Sequence, residues 1–588
     1  MPTGRIGAKG ELNPKATDDD NDAGVRELEK QLGLFRSFDH VHWVPINPSR
    51  RDANGNWTGG DREGRGDGRA LTIAGKCMFA GHSNAGNNGT DTRPMEILRM
   101  ADDPVRNPPV KVGEIPVPVP GTDDSIMASS LHKKADGTEV ITVIRDISND
   151  DGLLITYEVD PRNCAVTKTS ETYPFGGDFH EFGMWIDPKN DKRILIVTSA
   201  YAGAQEDDPL RPGKKTPDMR VIAITDENTG AILPTPITLA QFTLQDVGGP
   251  VRVEQPDATG LYSDGRFPDY SHLKDNWGTV IAPMKQQTNY VHQATFSRDG
   301  ERIYVAGGLA GFYILNSEKI AGGKDADLAA GRAGCNFEST NVFVNNVIGG
   351  DIDPRKLSQV ANDCMHMVVN DDPGVKAMVA AGKVGPYLAL LDRSRWDPYP
   401  PILGGTGLHS AIVIPDRPAP VKGNTKQRPN YIAVSEERGG CPTSALFFVD
   451  VSVEMTPLVV GTFGVPFNDV EECVKQPTVE PDGTTPRKRV AWQAHNPTVF
   501  KNLVFISWYG QGMRAIDISN IRNPREVGHA NTLPHGQARS YVLLRDGLMY
   551  FMDNGSGIHV VRYTGPRANE LPGPGTGTWE GNIANAHQ

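Results

Sequence analysis

No stretch of eighteen consecutive apolar residues occurs in this chain, so nothing in it reads as a membrane span. It also lacks a basic stripe, and its formal charge is −12, which argues against nucleic acid as a partner. Its 6 cysteines (Cys77, Cys164, Cys335, Cys364, Cys441 and Cys473) include no Cys-x-x-Cys, which excludes a zinc ribbon or a thioredoxin-like site. No signal peptide opens the sequence. Met1-Pro2-Thr3-Gly4-Arg5 instead reads as the start of a mature secreted chain after cleavage, and the even cysteine count fits disulfides. A periplasmic or extracellular protein is therefore expected. Six cysteines allow fifteen pairings; the nearer pairs, 335/364 and 441/473, each flank a plausible insertion.

What the chain does have is turns and repetition. Its 588 residues would suggest three or four ordinary domains, but internal repeats let one closed ring absorb the whole length. Gly 64 and Pro 45 suit many turns between short strands. The clearest unit runs from Trp492-Gln493-Ala494-His495 through Leu503-Val504-Phe505-Ile506-Ser507 to Met513-Arg514-Ala515-Ile516-Asp517. It reads as three strands, the first opening with a histidine and the second ending in the aromatic loop Trp508-Tyr509. The same sentence recurs at Leu131-His132, Phe179-His180-Glu181, Val291-His292, Met365-His366, Leu408-His409 and His535-Gly536, with an earlier unit at 71–100. Compact spacings of 40 residues (His495 to His535) and 43 residues (His366 to His409) match a four-stranded propeller blade. Each blade buries both faces against its neighbours, which explains apolar runs in place of strict alternation.

The expected fold is all-β, a single propeller over residues 36–565, preceded by a solvated leader (1–35) and followed by a Gly/Pro-rich tail (566–588). Eight blades are expected, or seven if residues 38–45 only complete the last blade. In the insertion after the first strand, Asp52, Asn54 and Asn56 alternate and Glu63 stands at the twelfth place, the spacing of a calcium loop. Trp57 occupies the sixth place, where the sharp turn needs glycine, and a polar surface loop is the plainer reading. Asp392, Asp450 and Asp517 recur after third strands as turn-forming residues.

The stretches Ile516-Asp517-Ile518-Ser519-Asn520-Ile521-Arg522-Asn523-Pro524 and Phe448-Val449-Asp450-Val451-Ser452 resemble LVIVD-repeat propeller proteins, from roughly residue 285 onward. The resemblance implies a bacterial, often exported propeller; the chemistry must come from the site.

Aligned blade openings put His132, His180, His292, His366, His409, His495 and His535 in register. The innermost strand of a blade lines the central channel, so matching positions form a ring, and imidazole suits copper, iron and zinc. The ring is wider than one coordination sphere, so a subset of three or four ligands is expected. The bland alternative is a repeated strand-start histidine that merely caps backbone. Loops after the second strands should gather above the ring. They bring Glu436, Glu437, Tyr509, Arg145 and Asp553 as acid–base candidates, and His82, Asn84, Tyr201, Trp508 and Gln511 as substrate contacts.

The arrangement is similar to propeller metalloenzymes such as nitrous oxide reductase, methanethiol oxidase and carotenoid oxygenases, though none of their sequence motifs is present. An exported metal-dependent oxidoreductase acting on a small molecule, with copper or iron, is the leading expectation. A metal-dependent lyase or hydrolase and a non-catalytic binding propeller are the alternatives.

Overall fold

In the computed structural model the described residues are 33–44, 46, 50–51, 57–58, 68–82, 94–118, 124, 127–147, 152–175, 179–200, 216–242, 291–308, 312–332, 364–367, 407–414, 429–437, 444–452, 454, 457–475, 492–532, 537–553 and 557–574. Their strands form seven meandering antiparallel sheets around one axis. Blade one is Gly68–Ala74, Cys77–His82, Met95–Arg99 and Val110–Ile115, counted from the channel outward. Blade two opens with Met127–Lys133, blade three with Phe179–Asp187, blade four with Gln293–Phe296 and blade five with Leu408–Val413. Blade six opens with Pro497–Phe500 and blade seven with Leu543–Arg545.

The ring closes through the N-terminal segment. Phe38–Val44 pairs with Gly557–Tyr563 as the outer strand of blade seven, and Phe35–Arg36 adds a fifth strand to blade six. Closure from both chain ends turns the count from eight to seven, because residues 38–44 complete a blade and do not start one. His366 also moves. His366–Met367 is the outer strand of blade four, pairing with Leu315 and Asn316, so it opens no blade of its own.

The inner strands are largely buried on both faces, as the apolar runs require, while outer strands such as Val110–Ile115 are exposed. Met219–Thr225 and Leu548–Asp553 are buried at every position. Third-strand aspartates make turns as expected: Asp450 Oδ1 accepts the Ser452 N–H at 2.9 Å and Asp517 Oδ1 the Ser519 N–H at 2.8 Å. Asp392 lies outside the described residues.

Neighbouring blades are stapled at their third-to-fourth-strand turns. His132 of blade two bonds through Nε2 to the Gly230 carbonyl of blade three (3.0 Å), and His42 of blade seven to the Pro104 carbonyl of blade one (3.1 Å). A buried disulfide, Cys77–Cys164, ties blade one to blade two across 87 residues of sequence. Cys364 is also disulfide-bonded; the pairs 335/364 and 441/473 involve residues outside the described ones. Arg50–Arg51 and Trp57–Thr58 pair as a short hairpin, while Asp52, Asn54, Asn56 and Glu63 are outside the described residues. Among the described residues no helix is long and apolar enough to cross a membrane.

Candidate metal centre

At one end of the channel four imidazoles stand in a row, one from the opening of each of blades three to six. His180 and His409 lie within the inner strands, and His292 and His495 sit just before theirs. Ring centroids are 4.5 Å apart for His180–His292, 4.0 Å for His292–His409 and 4.1 Å for His409–His495. Two carboxylates enter the same space. Glu181 follows His180 on the inner strand of blade three, and Glu437 lies just after the second strand of blade five.

Adjacent residues on a strand ordinarily face opposite sides. His180 and Glu181 share the channel because the pairing register shifts between Phe179 and Phe182, a bulge that re-aims side chains. Blade five carries the matching shift between Leu408 and Ala411, around His409.

The donor atoms face inward at a narrow range of separations. His180 Nε2 meets His292 Nε2 at 3.2 Å. Glu437 Oε2 is 3.4 Å from His292 Nε2 and 3.5 Å from His409 Nε2, and its Oε1 is 3.8 Å from His495 Nε2. Glu181 Oε1 is 3.4 Å from His409 Nε2, and its Oε2 is 3.7 Å from His292 Nδ1. Most of these are poor hydrogen-bond distances. An ion about 2.1 Å from each donor, with angles of about 100–130°, would separate its ligands by about 3.2–3.8 Å.

The outer nitrogens set the tautomers. His495 Nδ1 lies 2.6 Å from the Arg539 carbonyl, which can only accept, so Nδ1 carries the proton and Nε2 keeps its lone pair for the cluster. Asn496 Nδ2 donates to the same carbonyl at 2.8 Å. His409 Nδ1 is bonded to Ser410 Oγ. The Nε2 atoms of His409 and His495, and both carboxylate oxygens of Glu181, are buried and make no hydrogen bond. Buried polar atoms left this way cost about 1–3 kcal/mol each, a cost that an ion among these donors would offset.

Charge points the same way. Burial opposes ionisation of Glu181, but His409 and His292 outweigh it and hold its carboxyl well below the usual range. Burial likewise opposes charge on Glu437, and His292, His409 and His495 reverse that effect. Burial pushes His180 and His495 well below the ordinary imidazole value, helped by their imidazole neighbours. On His292 burial is overcome by Glu181 and Glu437, and its pKa rises to about 9. A buried carboxylate, Glu181, and a partly buried one, Glu437, thus collect a proton on the central imidazole, a charge that a divalent cation would supply instead.

Tyr509 closes the site. Its hydroxyl donates to Glu437 Oε1, its ring lies 5.0 Å from His495, and the Arg539 guanidinium stacks 4.7 Å above its face. Burial, then Glu437, pushes its phenol well above the ordinary value, so it stays protonated. Its φ of 33° is a left-handed conformation that a bulky residue rarely adopts. The turn enforces it: Gly512 N–H donates to the Tyr509 carbonyl at 2.9 Å, and Ala538 N–H reaches the same carbonyl at 3.1 Å.

Of the residues singled out in the sequence, His180, His292, His409, His495, Glu437 and Tyr509 come together. His132 does not. It is the sixth residue of its inner strand, Met127–Lys133, whereas His180 is the second of its own, and it serves the Gly230 staple. Glu436 points away, its Oε2 accepting the Ser444 and Ala445 N–H groups at 3.0 and 3.1 Å. Arg145 forms a fully buried ion pair with Asp124, and Asp553 accepts from Thr532. Trp508 is buried, its Nε1 donating to the Trp492 carbonyl at 2.8 Å, and Gln511 accepts from Arg514 at 2.8 Å. His535, Asn84 and Tyr201 are outside the described residues, as are the side chains of His82 and His366. Glu181 and Arg539 were missed. Glu181 stands beside a ring histidine, but only the bulge turns it inward; Arg539 has no signal in the repeat.

No protein-family model and no curated protein matches the chain. Solved propellers resemble it in architecture. Saccharomyces cerevisiae Sqt1 is 8% identical, covering 90% of this chain and 100% of its own, with a TM-score of 0.37. Chaetomium thermophilum Sqt1, solved bound to the N-terminus of ribosomal protein L10, is 10% identical over 88% of both chains, with a TM-score of 0.37. The Pseudomonas aeruginosa periplasmic gluconolactonase PpgL is 10% identical over 80% of this chain and 86% of its own, with a TM-score of 0.35. Likeness at this level carries no argument about what this chain does.

Proposed function

We propose that the protein is a metal-dependent enzyme whose ion is held at the channel end by the His/Glu cluster, and that it oxidises a small molecule. The observation that carries this is the set of buried and partly buried donors at 3.2–3.8 Å, with the Nε2 atoms of His409 and His495 left without hydrogen bonds. Imidazoles with carboxylates, and no thiolate or thioether, suit iron or copper(II) better than copper(I). The bound ion would supply Lewis acidity and an electron-transfer partner.

The chain's own groups do the rest. Three or four of His180, Glu181, His292, His409, His495 and Glu437 would ligate one ion, and the Arg539 carbonyl fixes the His495 tautomer. Tyr509, protonated and bonded to Glu437, is placed to give a proton to substrate and recover it. Arg539 over its ring would stabilise the phenolate that forms meanwhile. The same Tyr509–Glu437 pair favours a second reading, a metal-dependent hydrolase or lyase, in which the proton relay is the whole chemistry.

The Cys77–Cys164 disulfide supports a periplasmic or extracellular setting, and the repeated strand endings support kinship with LVIVD-repeat propellers. The test is elemental analysis of protein purified without chelator, with absorption and electron paramagnetic resonance spectra before and after reduction. Iron or copper with a redox-sensitive spectrum supports oxidation. Zinc or manganese moves the reaction to hydrolysis or elimination. No metal, even after reconstitution, sinks the proposal and leaves a binding propeller.

A further inference from the structure

The row of imidazoles is too long for one ion. A donor pair bonded to a single ion at about 2.1 Å can be no more than about 4.2 Å apart, even when the two lie opposite each other. His180 and His495 stand at the two ends of the row, and among the described residues no three-donor set within 4.8 Å contains both. The donors fall instead into two sets, His180–Glu181–His292 and Glu181–His409–His495, which share Glu181 and nothing else. A third set, His292–His409–Glu437, joins them in the middle.

Resting on the reading that the cluster binds metal at all, we propose that it is a dinuclear centre. His180 and His292 hold one divalent ion, His409 and His495 hold the other, and Glu181 and Glu437 bridge the two. Each carboxylate is aimed for that task. Glu437 sets Oε2 between the halves, 3.4 Å from His292 Nε2 and 3.5 Å from His409 Nε2, and turns Oε1 towards His495 Nε2 (3.8 Å). Glu181 turns Oε1 towards His409 Nε2 (3.4 Å) and Oε2 towards His292 Nδ1 (3.7 Å). Bridging carboxylates hold ion pairs about 3.5–4 Å apart, a spacing commensurate with the 4.0 Å between the His292 and His409 rings. Four neutral imidazoles and two carboxylates also give each ion two nitrogens and a share of both negative charges. Open positions remain on each ion for substrate or solvent. A single ion at the central set would leave His180 and His495 as bystanders, although His495 Nε2 is buried without a hydrogen bond.

The experiment uses the full chain, stripped with chelator and reconstituted separately with Mn²⁺ and with Fe²⁺ under anaerobic conditions, then desalted. The metal-to-protein ratio is measured for the wild type and for His180→Ala and His495→Ala, with circular dichroism melts to show that each is folded. The dinuclear centre predicts about two ions per chain in the wild type, halved in each variant, with spin coupling between the two Mn²⁺ ions only in the wild type. One uncoupled ion in the wild type, unchanged in His180→Ala, overturns the dinuclear assignment and leaves the metalloenzyme reading standing. No ion in any sample overturns both. The wild-type ratio decides the matter even if a variant fails to fold.

Discussion

Histidines in the two halves of this ring do different work. In blades two and seven, His132 and His42 each bond a backbone carbonyl of the adjoining blade. In blades three to six, His180, His292, His409 and His495 turn towards one another and towards two carboxylates, and the Nε2 atoms of His409 and His495 meet no hydrogen-bond partner. Both groups of side chains are largely buried, so burial alone does not separate them. The difference is what the rings face. His132 bonds a carbonyl through Nε2 and keeps a buried Nδ1 without a hydrogen bond, so an unpaired nitrogen alone does not separate the groups; four adjoining imidazoles that face two carboxylates do.

The largest expected effect cuts between these groups. His292→Ala or His409→Ala should lower metal affinity by more than about 100-fold, read by metal content after desalting, while His132→Ala leaves it unchanged. Equal losses from all three would erase the distinction. The next effect belongs to the staple half. Cys77→Ser should cost about 4–5 kcal/mol in denaturant unfolding, since the bond closes a loop of 87 residues, yet leave metal content intact.

Stability of the chelator-stripped protein should depend on pH on both sides of about 6.5. His292 has a folded pKa raised to about 9, so the stability it contributes is fully present below its unfolded value of about 6.5 and is lost as pH rises through 9, up to about 3 kcal/mol. His180 and His495 are depressed, so the neutral forms that the fold requires cost stability as pH falls below about 6.5. Glu181 and Glu437, also depressed, contribute stability that goes only at still lower pH, as it falls through their folded values. Melts across pH should show this profile, and reconstitution with metal should remove its alkaline limb. An alkaline limb unchanged by metal would mean the ion binds elsewhere.

Smaller effects sharpen the packing side. Gly183, two residues beyond Glu181, lies where a Cβ would strike the Ala294 carbonyl of blade four. Gly183→Ala should cost about 1–3 kcal/mol and shift metal affinity as well, because it forces apart the two blades that carry His180 and His292. His132→Ala should cost about 1 kcal/mol in stability alone, by loss of the Gly230 hydrogen bond.

Much of the fold could be read from the residues, because each blade repeats a local pattern of apolar runs and Asp-containing turns. Closure was harder. Nothing in Phe38–Val44 itself says that it pairs with Gly557–Tyr563 at the far end of the chain, and the blade count turns on that pairing. The clustering of His180, His292, His409 and His495 was legible, because the repeat is strict there. It was misread at His132 and His366, since a histidine near an apolar run looks alike whether it lies at the channel end, the far end or on the outer strand. Glu181 escaped because strand alternation points it away from His180, and the bulge that brings it back is a property of pairing, not of local sequence.

The account stands most directly on where an ion lies. Diffraction from crystals of reconstituted protein, collected on both sides of the metal's absorption edge, would locate it through the anomalous difference. The account predicts density about 2.0–2.3 Å from His409 Nε2 and from Glu437, among the four imidazoles of blades three to six. A cluster without an anomalous peak, its Glu181 and Glu437 closed onto the imidazoles in ordinary hydrogen bonds, would contradict it.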